Sequence, residues 1–312
     1  MINFRFHLVS LVAVFLALAV GVVMGYGVLG QPTVDTLQNR IDTVEANAEA
    51  RRKENDDLRA ALDLANEAAD QSSPFSVTDR LADVPATVLA VRGVDEDAVN
   101  RTVALARRAG ATVPGVIWLE DRWALPTHDD VQALADALGL QTAGKRATLR
   151  ADAWDVLLGR LADGPPSSGQ DPLRSLVDAG FVTLGGVDSD APAPDRIGGV
   201  GTRAVLVTGT GATVPARVVV GPIAHVALDN GVALVAAEVF PDDTEGASRG
   251  DSLDAVRSDD ALTDRVSTVD DLERTEGSVA AVLALADLGR GVVGDYGIGD
   301  GAERQIPEWW QP

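Results

Sequence analysis

The chain offers few residues with which to do chemistry. It has no cysteine, three histidines (His7, His128 and His225) and two methionines (Met1 and Met24). Disulfides, thiolate metal sites and cysteine nucleophiles are thereby excluded. The densest set of donors is Thr127-His128-Asp129-Asp130. One imidazole beside two carboxylates suits a hard or borderline ion such as Cu(II); Cu(I) prefers sulfur. His128, Asp129 and Asp130 are therefore the metal-site candidates. The competing use of the same residues is a helix start, with Thr or Asp as N-cap and carboxylates in the first turn. Asp188, Asp190 and Asp195 offer a second, weaker set of oxygens, but Pro192 and Pro194 among them fit a solvated loop. His225, between Ala224 and Val226, reads as a core residue.

Gly209-Thr210-Gly211 follows an apolar run and resembles a phosphate-cradling turn. The third glycine of such a fingerprint is replaced by Val214, and no Gly-Lys-Ser/Thr element occurs. Glycine's access to positive φ in a tight strand-to-helix turn accounts for the pattern without a ligand. No Ser–His–Asp order, HExxH or carboxylate dyad stands at a spacing that supports catalysis. The chain reads as a non-enzyme with no tightly bound cofactor.

The elements that must position these residues come from hydrophobic patterning. Strands are expected at 86–91, 111–119, 181–184, 204–208 and 232–239. Helices are expected near 95–109, 129–139, 148–163, 172–179, 214–229, 252–265 and 277–289. Strands alternating with helices predict a doubly wound, mostly parallel α/β domain over residues 74–312. The loop 185–199 should be exposed and the polar segment 241–252 mobile. No series of alternating ten-residue strands suggests a transmembrane barrel.

Ahead of that domain lie two segments of another kind. Residues 8–29 contain no charge, and twenty-two helical residues span about 33 Å, enough for the hydrocarbon core of a bilayer. Residues 1–30 are read as a transmembrane anchor. Ala13, Ala17, Gly21 and Gly25 recur every fourth residue along it and form a narrow ridge of the kind that lets helices pair in lipid. Residues 31–73 follow as a coiled-coil stalk, roughly 57 Å long if helical over residues 33–70. Val34, Ile41, Ala48, Asn55 and Leu62 fall at heptad a, and Leu37, Val44, Arg51 and Leu58 at d. Arg51 weakens the seam, whereas Asn55 would fix its register. Gly21, Gly25, Leu37, Ile41, Asn55 and Leu58 are thus expected to carry a parallel homodimer. The alternative is a lone helix lying on its own globular domain. Residues 71–74 should end the stalk helix and act as a hinge.

Charge decides partners and orientation. The net charge is −21; residues 1–30 hold one basic side chain and residues 31–73 five basic against ten acidic, so the rest carries −17. Such acidity argues against nucleic acid and against an anionic membrane surface as partners of the distal part, and suits cationic partners, divalent cations or plain solubility. Arg5, His7 and the terminal amine precede the apolar span, and only Arg40 is basic soon after it. That bias predicts a cell-membrane protein with a cytoplasmic N-terminus and an exported bulk. A signal peptide cleaved near Gly25-Tyr26-Gly27 is the competing reading.

Both ends of the chain resemble a known family. The first end is Phe4-Arg5-Phe6-His7-Leu8-Val9-Ser10-Leu11, continuing through Ala17-Leu18-Ala19-Val20-Gly21. The second is Val266-Ser267-Thr268-Val269-Asp270, then Gly277, Val282-Leu283-Ala284-Leu285-Ala286 and Tyr296-Gly297. Together with the order anchor, coiled coil, α/β domain, these are similar to the actinobacterial copper transporter family MctB. The resemblance implies a cell-envelope location, described for the family as the mycobacterial outer membrane, and a role in copper efflux and homeostasis with copper as the transported ion. Within 267–270, Thr268 or Asp270 is expected to cap or turn the chain before the last helix. The rival function is a non-enzymatic coiled-coil scaffold that recruits or regulates envelope or cell-division proteins.

Overall fold

Every residue of Ala86–Val91 (β1) is buried, as a strand covered on both faces requires. The same holds for Val116–Leu119 (β2) and for the middle of Arg203–Gly209 (β4) and Ala233–Val239 (β5). These strands form the centre of a seven-stranded sheet in a computed structural model that describes residues 4–29, 31–141, 144–186, 192–242 and 244–308, with backbone alone for 26–29 and 31–35. The remaining strands are Val182–Gly185 (β3), Ser267–Val269 (β6) and Asp295–Tyr296 (β7). The order is β3-β2-β1-β4-β5-β6-β7, with β3 antiparallel to β2 and every other pair parallel. The chain reverses its direction of winding between β1 and β4, the switch point of a doubly wound sheet.

Side chains alternate between two cores. Leu89, Ile117, Leu206 and Leu234 face one side, where Arg146–Asp163 (α5), Pro172–Asp178 (α6) and Ala216–Asp229 (α7) pack around Trp123, Trp154 and Phe181. Trp123 and Trp154 stack with centroids 3.7 Å apart. Val88, Ala90, Val205, Val207 and Val235 face the other side, beneath Glu96–Arg108 (α3) and Thr275–Leu288 (α9). His128–Ala137 (α4) closes the first core, and Asp254–Arg257 (α8) is a single turn.

Three expectations change. Pro114 and Gly115 delay the second strand to Val116. Only one turn of helix forms within 252–265, because Asp259, Asp260 and Asp264 interrupt its apolar face. The helix starting at Gln31 (α2, Gln31–Val77) does not stop at 71–74 but runs through Pro74. Proline lacks the N–H that the Asp70 carbonyl would receive, and the Ser73 hydroxyl donates to that carbonyl instead at 2.9 Å.

The chain divides into two units, Met1–Asn66 and Glu67–Pro312. In the first, Phe4–Leu29 (α1) contains one stretch, Phe4–Gly25, long and apolar enough to cross a membrane, and no part of it is buried. An uncovered apolar helix of this length fits membrane association.

Candidate functional site

Buried charge is costly unless paired, so its location singles out a site. Glu238 at the end of β5 and Asp270 and Asp271 after β6 are all buried. Asp270 is the hub. Its Oδ2 pairs with Arg257 at 2.9 Å, and its Oδ1 accepts the N–H groups of Ile298 and Gly299 at 2.9 and 3.0 Å. Arg257 also donates to Thr268 Oγ1 at 2.8 Å, and that hydroxyl donates to Asp295 on β7 at 2.5 Å. Arg249 bonds the Asp270 carbonyl at 2.8 Å, Glu273 at 2.6 Å, the Phe240 carbonyl at 2.7 Å and Asp242 at 2.9 Å. Glu238 accepts the N–H groups of Gly250 and Ser252. Burial, reinforced by the nearby Asp270 charge, nevertheless raises its pKa. The segment 241–252, expected to be mobile, is tied to the sheet through Arg249, Gly250 and Ser252.

Asp271 points to the other face of the sheet, toward the start of α9. Neither of its carboxyl oxygens has a hydrogen-bond partner among the described residues. Burial first, then the Asp270 and Glu273 charges, push its pKa from 3.8 up to about 7, against the opposing pull of Arg249 and Arg274. A Cβ at Gly277 would stand 2.1 Å from the Asp271 carbonyl oxygen and 2.6 Å from Oδ1, so only glycine fits there. A Cβ at Gly297, where φ is +125°, would stand 2.1 Å from Asp270 Oδ1. The residues that carried the C-terminal resemblance, Ser267–Asp270, Gly277 and Tyr296-Gly297, therefore meet around one pair of acids. Ser267–Val269 is a buried strand, so Thr268 neither caps nor turns the chain, whereas Asp270 stands at the bend that follows the strand. Apart from Asp271, the charged groups have their donors and acceptors committed to the protein: they clamp the short strand β6 and the edge strand β7 beside it.

The residues first considered for chemistry are placed elsewhere. Thr127 caps α4 by accepting the Asp130 N–H at 3.1 Å, and Asp130 returns a bond to the Thr127 N–H and pairs with Arg122 Nε at 2.7 Å. The Thr127 hydroxyl bond and then Arg122 hold the Asp130 carboxyl below the ordinary range. His128 and Asp129 face solvent while Asp130 is turned inward, so the three donors do not converge. Among the described residues no group of three or more His, Asp or Glu side chains is placed to hold a metal ion. His225 is not a core residue: it lies exposed on α7 and its Nε2 is 2.9 Å from Asp259. Asp188 and Asp190 lie outside the described residues, and Asp195 sits in a 3-10 turn.

At the switch point the two glycine loops close on each other. A Cβ at Gly211 would meet the Gly93 carbonyl oxygen at 2.3 Å, and the Thr213 N–H bonds the Arg92 carbonyl at 2.8 Å. The crevice in which doubly wound domains take nucleotides is thus filled by backbone. In the N-terminal unit, Gly21 and Gly25 have open space where a Cβ would lie, and Leu37, Ile41, Asn55 and Leu58 are exposed along α2.

Fold and sequence together define an α/β protein with a doubly wound sheet, preceded by a long polar helix and an apolar helix fit to cross a membrane. A family model described as "Copper transport outer membrane protein, MctB" matches residues 1–307. The chain belongs to the MctB family. Proteins named "Copper transporter MctB" from Mycobacterium tuberculosis (strain ATCC 25618 / H37Rv) and Mycobacterium bovis (strain ATCC BAA-935 / AF2122/97) are each 27% identical to it, over 97% of this chain and 98% of theirs. The protein of that name from Mycobacterium leprae (strain TN) is 26% identical over the same shares. The family is one of copper transport proteins, which is not an enzyme class.

Proposed function

We propose that this protein is a single-pass, membrane-anchored envelope protein that acts in copper efflux and homeostasis, with copper as its cargo. The observation that carries the reading is the family match along nearly the whole chain, from the apolar helix to the Asp270 hub. Flanking charge orients the N-terminus to the cytoplasm and the α/β domain outside. The α1 ridge and the α2 heptads favour a parallel homodimer with a coiled-coil stalk. A membrane pair would hold the two stalks in register and raise their effective concentration. In the distal domain, His128 with Asp129 and Asp130 is assigned to transient copper contact. The two solvent-facing donors carry that role, because Asp130 also serves the cap.

Deleting the gene should sensitise the host to copper. Full-length protein should restore tolerance, whereas a form lacking residues 31–73 should not. Unaltered copper tolerance of the deletion strain would sink the reading. Replacing His128 and Asp129 by Ala, which spares the Asp130 cap, should weaken copper binding; unchanged affinity would remove this site.

A further inference from the structure

A pocket of about 350 Å³ opens between α5 and α7, with Arg150, Trp154, Arg217, Val218 and Pro222 in its wall. That volume is within the range of small-molecule sites, ~300–1,000 Å³. Its charge runs against that of the protein as a whole, which has 47 acidic and 26 basic side chains. Arg217 and the neighbouring Arg146 make no hydrogen bond or ion pair among the described residues. Among the described residues Arg150 donates only to the Ala124 carbonyl, at 3.3 Å, and meets no carboxylate. Burial first, then the Arg146 charge, pull its pKa down, the mark of a guanidinium without a counter-ion.

The helices add to this field. α3, α4, α6 and α9 each begin with carboxylates at the cap or in the first turn, namely Asp95 to Asp97, Asp129 and Asp130, Asp171, and Glu276. α5 and α7 have neither: Lys145 and Pro215 stand at their caps without a side-chain hydrogen bond, and no acid lies in either first turn. Two positive helix ends and their unmatched arginines therefore lie beside one cavity. Trp154, fully buried and stacked on Trp123, forms part of the pocket's floor.

We infer that the α5–α7 pocket binds a phosphate ester with an apolar body, its phosphate held by Arg150 and Arg217. Two guanidinium groups and two helix N-termini exceed what one carboxylate neutralises, and a dianionic phosphate matches them with several acceptor oxygens. Ala147, Ala151, Val218 and Pro222 receive the apolar part. The source of the phosphate is a free metabolite or a lipid headgroup, and the site stands whether or not the copper reading holds.

Phenyl phosphate is the probe, titrated into the full-length protein in detergent micelles and followed by calorimetry. Saturable binding of one molecule per chain is expected, weakened at least tenfold by Arg217→Gln and by Arg150→Gln. Arg108→Gln, the same charge change on α3, should leave it unaltered. Arg217 is exposed and has no partner among the described residues, so its variant should keep the parent's circular dichroism and melting temperature. If phosphatidic acid, a lipid phosphomonoester, competes with phenyl phosphate in the micelles and phosphatidylcholine does not, the ligand is a lipid headgroup; if neither competes, it is a free phosphate ester. Absence of saturable binding, or equal binding by all the variants, overturns the proposal.

Discussion

Asp271→Asn should stabilise the protein, and the gain should depend on pH. The folded state holds the Asp271 proton up to about pH 7, whereas the unfolded chain releases it near 3.8. Between those values the unfolded state is the more ionised, so raising the pH through this window favours unfolding. The penalty is absent below about pH 4, grows to about pH 7 and is constant above. At about 1.4 kcal/mol per pH unit, the full window amounts to about 4 kcal/mol. Asparagine has the same shape and no charge, so it removes that penalty. It leaves an unpaired amide where a neutral acid stood, a cost of about 1–3 kcal/mol borne at every pH. The difference between variant and parent should therefore move by several kcal/mol in the variant's favour between pH 4.5 and pH 8. Urea unfolding at those two values, read by circular dichroism, measures it. A difference that is the same at both would show that Asp271 is ionised in the folded protein, with a counter-charge that the structure does not place there.

The clamp and the stalk give further outcomes. Arg257→Met leaves Asp270 buried without its cation and should cost about 3–5 kcal/mol; adding Asp270→Asn should recover part of the loss in the same unfolding assay. Gly277→Ala forces a methyl into the Asp271 carbonyl and should destabilise by at least about 1–3 kcal/mol. Single cysteines at Leu37 and at Leu58 should cross-link homotypically in membranes under mild oxidation, and a cysteine at Glu45 much less. Equal yields at all three positions would mean that α2 does not pair through the expected seam.

The architecture was legible where burial alone dictates sequence. The runs 86–91, 204–208 and 232–239 are continuous and apolar because parallel strands in the middle of a covered sheet meet helices on both sides. β6 and β7 escaped because three and two residues carry no period, and Ser267, Thr268 and Asp295 look like loop residues until their partners are known. α2 was cut short at Pro74 because proline is the strongest breaker in a sequence, and the compensating Ser73 hydroxyl is a local device that spacing does not announce. His225 was misplaced for the opposite reason: its apolar neighbours alternate faces around a helix, and it falls on the outer one. The hub was half visible. Asp270 and Asp271 stand together directly after a β-branched run, an odd place for two acids, but the arginines that hold Asp270, Arg257 and Arg249, come from 13 and 21 residues upstream. The α5–α7 pocket was not visible at all, since Arg150 and Arg217 meet only through tertiary packing.

The placing of the charges follows from the shortness of the strands they serve. β6 pairs with β5 over three residues and with β7 over two, so the ladder itself gives little to hold β7 in register. A slip by one residue would turn Asp270 toward the α9 face and bring Asp271 round to Arg257. The native register gives Asp270 an arginine and two backbone N–H groups, and leaves Asp271 with none. In the slipped register Asp270 would face Gly277, where the chain holds no donor for it. Gly277 and Gly297 are cut to the native placement, each touching one of the two acids. The clamp thus selects among registers that hydrogen bonds along the strands barely distinguish, at the expense of one uncompensated acid. Selection of this kind is the best-attested use of buried polar groups. It explains why the C-terminal residues on which the resemblance was read cluster at the weakest edge of the sheet and not at an open cavity.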